Sequence, residues 1–211
     1  MIDSQIRPNK VIDQALLDAV ARIPREAFVP EALSNLAYGD EDLMFGNGRS
    51  LMEPTTFCRL VQAAEIQKTD VVLDVGCLMG YSSAVLSFLC DTVIGLDQNP
   101  TYLTYAENLL YNNDTCNTVF ITGDMTEGAP RHGPYDVIVI NGTVAQMPGM
   151  IAGQLREGGR IVCVVRENEN TVGQATVFYK RAGKLTAKAL FDAWTPYLNG
   201  FEPAKKFVFS A

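Results

Sequence analysis

Val71-Val-Leu-Asp-Val-Gly-Cys-Leu-Met-Gly-Tyr81 is an apolar strand that turns on glycine two residues after an acidic one. A second apolar strand, Thr92-Val-Ile-Gly-Leu-Asp97, ends on an acid sixteen residues after Tyr81. Strand, glycine turn, helix, strand and acid in this order is how a doubly wound α/β sheet holds a nucleoside. The turn brings backbone N–H groups to the ligand, and the acid accepts hydrogen bonds from ribose hydroxyls. A Gly-x-Gly-x-Gly turn would place glycines at 76, 78 and 80, but position 78 is Leu. Glycine at such a turn supplies positive φ and room for close approach, so Leu78 is the departure to watch.

Outward from this unit, strands are expected at about 71–75, 92–96, 118–121, 135–140 and 160–165. Helices are expected around 10–22, 26–38, 55–64, 81–89, 100–112 and 147–155. Such alternation predicts a parallel sheet covered on both faces. Ala175–Lys180, Leu185–Phe191 and Lys205–Phe209 read as antiparallel strands finishing one edge. Gly39–Pro54 is polar and glycine-bearing and reads as a loop, long enough to be functional. The expectation is one domain over 1–211: N-terminal helices and loop over 1–54, a ligand-binding core over 55–165, and antiparallel strands over 166–211.

Composition narrows the function. The 211 residues carry a net charge of −7, which argues against binding a nucleic-acid backbone. Cysteines 58, 77, 90, 116 and 163 are scattered with no Cys-x-x-Cys pair, so they read as reduced, buried thiols and not as zinc ligands. No metal site is expected. Residues 1–10 hold no apolar signal-peptide core, and the apolar runs are far shorter than the ~20 residues of a membrane helix. These features predict a cytoplasmic protein with no membrane partner. His132 is the only histidine and sits among turn residues, which leaves triad chemistry without support. Trp194, Phe191, Tyr197, Phe201, Phe207 and Phe209 read as core packing.

Further crevice candidates follow the later strands. Gly123-Asp-Met-Thr-Glu-Gly128 places Asp124 and Met125 at the carboxyl end of the third strand, where ligands bind in open α/β sheets. Asn141-Gly142 follows the next strand, and Leu155-Arg-Glu-Gly-Gly159 reads as a helix C-cap. Two roles are open to Asp97, a ribose acceptor or a helix N-cap, and Asp124 is equally a turn aspartate.

Taken together, these residues resemble the class I S-adenosylmethionine-dependent methyltransferases, and more narrowly the protein-L-isoaspartate O-methyltransferase family. Ile23-Pro-Arg-Glu-Ala-Phe-Val-Pro30 with Ala37-Tyr38 is similar to the family's Pro-Arg-x-x-Phe-Val-Pro segment and its downstream Ala-Tyr. Gly48-Arg-Ser-Leu-Met-Glu-Pro54 is similar to its substrate-side loop, Gly-Gln-Thr-Ile-Ser-Gln-Pro. Residues 73–81 resemble the first methyltransferase motif, and 123–128 the Gly-Asp-Gly-x-x-Gly element. Residues 134–139 and 155–162 resemble the later motifs.

The resemblance implies a Rossmann-like three-layer sandwich that binds S-adenosyl-L-methionine. Ser50, Asp74, Gly76, Leu78, Gly80, Asp97, Gln98, Asp124, Met125 and Asn141 would form the cofactor site, and Ser50–Pro54 would face the substrate. The implied acceptor is an isoaspartyl protein or peptide. Met52 stands where the family has the serine that orients the acceptor carboxylate, and a thioether cannot donate a hydrogen bond. No catalytic residue is therefore assigned. Two other functions remain open at this point: a methyltransferase with a different acceptor, and a scaffold that keeps the fold without catalysis. Oligomeric state is not legible.

Overall fold

The computed structural model describes residues 1–111 and 117–204. Among the described residues, nine strands and five α-helices follow one another. Helix α1 (Gln14–Arg22) starts where the Asp13 side chain accepts from the Leu16 N–H, satisfying one of the unpaired first-turn donors. Residues expected as a helix over 26–38 are instead two short 3₁₀ segments, Arg25–Phe28 and Glu31–Leu36. Pro30 separates them, because its ring lacks an N–H and clashes with a continuing helix.

The largest difference from expectation lies in 39–54. It is not a loop but a β-hairpin: β1 (Leu43–Gly46) pairs antiparallel with β2 (Arg49–Leu51). Asn47 (φ 51°) and Gly48 (φ 72°) make the turn in left-handed conformations, as an Asn-Gly dipeptide favours. Helix α2 (Pro54–Ala63) then begins with proline in its first turn, capped by the Glu53 carboxylate.

The main sheet has the order β5-β4-β3-β6-β7-β8-β9. Strands β3 (Val71–Val75), β4 (Thr92–Asp97), β5 (Thr118–Thr122), β6 (Tyr135–Val144) and β7 (Leu155–Val165) run parallel. Strands β8 (Gln174–Arg181) and β9 (Lys184–Asp192) add antiparallel at the edge. The expected parallel sheet with an antiparallel tail is what forms. The expected 205–209 strand, Cys116, Phe207 and Phe209 lie outside the described residues.

Side chains alternate across the sheet. Val72, Val137, Val139, Val162 and Val164 pack with α1, α2 and α3 (Tyr81–Ser87) on one face. Leu73, Val75, Ile138, Ile140 and Ile161 pack on the other, with Ile151 of α5 (Gly149–Gly153). Strands buried on both faces read as continuous apolar runs, which is why these were visible in the sequence.

Two boundaries shift. Strand β6 runs on through Asn141–Val144, and β7 begins at Leu155, so Leu155–Gly159 is strand and not a helix C-cap. Helix α4 spans Pro100–Tyr111. Trp194 is 63% exposed and does not pack in the core; the Arg166 guanidinium lies 5.6 Å from its ring. Phe201 is buried. His132 is exposed. Among the described residues, no helix is long and apolar enough to cross a membrane.

Candidate functional site

After β3 the chain moves out through α3, β4, α4 and β5, then crosses back to place β6 on the other side of β3. The strand order reverses between β3 and β6. Their carboxyl ends therefore splay apart into the crevice where open α/β sheets bind ligands. Gly76 and the 76–80 turn stand at one lip, and Asn141 at the other.

The turn is held from beneath. Asp74 is fully buried, and its carboxylate accepts from Ser82 Oγ (2.7 Å), Ser83 Oγ (2.5 Å) and Asn141 Nδ2 (2.6 Å). Burial raises its pKa, and these three donors work against that rise. Asn141 Nδ2 also reaches the Val75 carbonyl. Asp74 and Asn141 thus tie β3, β6 and the first turn of α3 together. Both were expected at the cofactor; in this structure they meet each other and shape the turn, with three donors on the Asp74 carboxylate.

Leu78 adopts a left-handed conformation, φ 51°, at the position where the turn would favour glycine. Its side chain lies in the core cluster with Phe57, Tyr81 and Val85 on the α1–α3 side of the sheet. It does not fill the crevice.

What fills the crevice comes from two distant segments. Arg49 of β2 donates Nη1 to Asp97 Oδ1 at 2.9 Å and Nη2 to Asp97 Oδ2 at 2.6 Å. Both side chains are almost wholly buried, 4% and 0% exposed. The Leu78 N–H (2.9 Å) and the Asn99 N–H (3.1 Å) donate to the same carboxylate. Four donors occupy the roughly four acceptor positions a carboxylate has.

Over this pair lies Leu198, buried at 3% exposure. A β-carbon added at Gly76 would stand 2.8 Å from Leu198 Cδ1 and 3.5 Å from Arg49 Nη2. One added at Gly142 would stand 2.9 Å from Leu198 Cβ. Gly142 is held to glycine by the Leu198 β-carbon and backbone over it, and Gly76 by its φ of +78°. The segment carrying Leu198 is bonded along the end of β6: Thr143 N–H donates to the Pro196 carbonyl (2.9 Å), and Leu198 N–H to the Thr143 carbonyl (3.0 Å). Asn199 Nδ2 then reaches the Asn47 carbonyl in the hairpin turn (3.1 Å), joining the two covers.

The remaining predicted residues are spread around this closed centre. Gln98 and Asp124 are exposed, with Asp124 Oδ1 accepting from the Thr126 N–H and hydroxyl. Met125 is buried in the core beside Leu96 and Ile138. Ser50 is buried within β2 opposite Met44. The Ser50–Met52 stretch is not an open substrate loop. Met52 is 3% exposed, and its carbonyl accepts from Arg25 Nη2 at 2.6 Å.

Arg25 is itself fully buried beneath this stretch. Its Nε donates to the Ala37 carbonyl (2.7 Å), and its guanidinium lies 4.6 Å from the Tyr81 ring centre. Desolvation lowers the Arg25 pKa, partly offset by Tyr81. Sequence reasoning assigned no role to Arg25, Arg49 or Leu198. One signal was available: Arg49 falls where the family's loop has glutamine.

A seven-stranded sheet with this switch point, turn and acid order has the architecture of the Rossmann-like methyltransferases. The chain belongs to the protein-L-isoaspartate(D-aspartate) O-methyltransferase family, whose model matches residues 1–194. A protein-L-isoaspartate O-methyltransferase of Koribacter versatilis is 34% identical over 97% of this chain and 93% of its own length. One from Proteus mirabilis is 31% identical over 85% of each. Among solved structures, a protein-L-isoaspartate O-methyltransferase superposes with a TM-score of 0.79 at 23% identity. It covers 93% of this chain, which spans 64% of that one. A Plasmodium falciparum protein given the same enzyme name, solved with S-adenosyl-L-homocysteine, has a TM-score of 0.77 at 15% identity. The family's members are enzymes that use S-adenosyl-L-methionine.

The cofactor and the crevice do not fit in the arrangement seen. A ribose acceptor at Asp97 would need a free carboxylate, and Arg49 holds both of its oxygens. A ligand lying over Gly76 needs space that Leu198 and the Arg49 guanidinium occupy.

Proposed function

We propose that this chain is an S-adenosyl-L-methionine-dependent O-methyltransferase of cytoplasmic location, acting on isoaspartyl residues of proteins and peptides. The observation that carries the reading is the family match across residues 1–194, on a sheet whose switch point holds the 76–80 turn. Gly76, Gly80, Asp97, Gln98 and Asp124 are the residues assigned to the cofactor, with Asp74 and Asn141 holding their turn in shape.

When bound, S-adenosyl-L-methionine supplies an electrophilic methyl group on sulfur. The acceptor carboxylate has a pKa near ~4 and is already a nucleophile at neutral pH. No general base is called for, which agrees with an exposed His132 and no catalytic triad. The chain's contribution is alignment and exclusion of water, worth up to ~7–11 kcal/mol in favourable cases. Arg25 contributes by pinning the buried Met52 carbonyl, which fixes the end of the hairpin ahead of α2.

The test is methyl transfer from labelled cofactor to an isoaspartyl peptide, with the matching aspartyl peptide as control. Transfer to the isoaspartyl peptide alone supports the reading. Cofactor binding without transfer to either peptide points to another acceptor.

A further inference from the structure

The reading above requires a ligand to enter a crevice that the chain's own side chains fill. Three observations bear on how. The Arg49 guanidinium offers Asp97 two parallel donors, the hydrogen-bonding pattern that two ribose hydroxyls would offer the same carboxylate. Leu198 covers Gly76 and Gly142 together, so a single side chain closes both lips. The two covers are joined by the Asn199 amide on the Asn47 carbonyl, so displacing one disturbs the other.

We propose that Arg49 and Leu198 form an internal latch, in which Arg49 stands in for the ribose and S-adenosyl ligands bind only by displacing it. The proposal rests on the methyltransferase reading. It assigns Arg49 and Leu198 control over cofactor access.

The latch is chemically suited to being displaced. Arg49 sits in the short strand β2, three residues long and, among the described residues, paired only with β1. Its Nε is buried without a hydrogen-bond partner, so the closed state leaves one donor unsatisfied. The Leu198 segment is attached to β6 through Thr143 and Ala145, and the 76–80 turn is built independently on Asp74. Swinging 196–200 away would therefore leave the turn intact. A ligand must overcome the closed state, so its apparent affinity is reduced by the fraction of molecules that are open.

Calorimetry with S-adenosyl-L-homocysteine on the full chain tests this, comparing wild type, Arg49→Gln and Leu198→Ala. Arg49→Gln removes the bidentate cation but keeps a polar side chain. Leu198→Ala removes the cover and leaves the ion pair, so the proposal survives if the first variant fails to fold. Backbone hydrogen exchange at Leu78 and Asn99, whose N–H groups report the Asp97 carboxylate, gives a second readout.

The expected result is weak wild-type binding that tightens at least ~10-fold in either folded variant, since freeing a competing internal group restores the open population. Ligand should also alter exchange in the 196–200 segment. Tight wild-type binding, unchanged or weakened by both substitutions, would overturn the latch while leaving the methyltransferase reading in place. No binding by wild type or either folded variant would overturn both.

Discussion

Arg49 and Asp97 meet end to end, two parallel hydrogen bonds of 2.9 and 2.6 Å between side chains 48 residues apart. The pair sits at the carboxyl end of β4, against the 76–80 turn. A buried bidentate pair is expensive to break by halves, because the partner left behind is a charge without water. Asp97→Ala is expected to cost ~3–5 kcal/mol on that ground, and Arg49→Leu a comparable amount. The double substitution should cost less than the sum, since it strands neither charge. Chemical denaturation of the four proteins checks this. Strict additivity would show that the two side chains are not coupled.

Leu78 has a different outcome. Its side chain packs on the helical side of the sheet, whereas Leu198 packs on the other. Leu78→Gly relieves a left-handed φ worth roughly ~1 kcal/mol but removes a buried leucine, typically ~2–5 kcal/mol. The variant should be less stable, with affinity for S-adenosyl-L-homocysteine within about threefold of wild type. Ten-fold tighter binding would place the obstruction at Leu78 and not at the latch.

Arg25→Met tests the support under Met52. Losing the guanidinium leaves the Ala37 and Met52 carbonyls unpaired in a buried site, each worth ~1–3 kcal/mol. A drop of ~2–5 kcal/mol in denaturation is expected, with Arg25→Lys recovering only part of it, since an ammonium cannot reproduce the fork. Full recovery by lysine would show that charge and not geometry holds the segment.

Much of this architecture was legible beforehand, and the reasons are local. Val71–Val75, Thr92–Asp97 and Tyr135–Ile140 are buried on both faces, so their apolar runs announced parallel strands. The 43–51 hairpin was missed because glycine and polar residues read as loop, although Asn47-Gly48 is a recognised hairpin signal. Asp97 stood out in the sequence as a candidate, but its partner Arg49 did not. A contact between Arg49 and Asp97, or between Leu198 and Gly76, depends on topology far beyond the reach of a residue pattern. Arg49, where the family's loop has glutamine, was the single trace of it.

Alkaline stability follows from the buried thiols. Burial pushes Cys58 and Cys90 each up to about 12 from an ordinary value of 9.0. Below pH 9 both thiols are protonated whether the chain is folded or not. Between pH 9 and about 12 the unfolded chain ionises first, so folding stability is lost as pH rises. The loss is up to about 1.4 kcal/mol per pH unit for each thiol. Urea denaturation from pH 8 to 11 should show this fall, and Cys58→Ala should make it shallower. An unchanged slope would mean that Cys58 is not held protonated by the fold.

The measurement closest to the central claim is methyl transfer to an isoaspartyl peptide as a function of cofactor concentration, in wild type and in Arg49→Gln. A latched methyltransferase predicts a high cofactor KM in wild type and a KM at least ~10-fold lower in Arg49→Gln, with transfer confined to the isoaspartyl peptide. Saturation of wild type at low cofactor concentration, with Arg49→Gln raising KM, would contradict it.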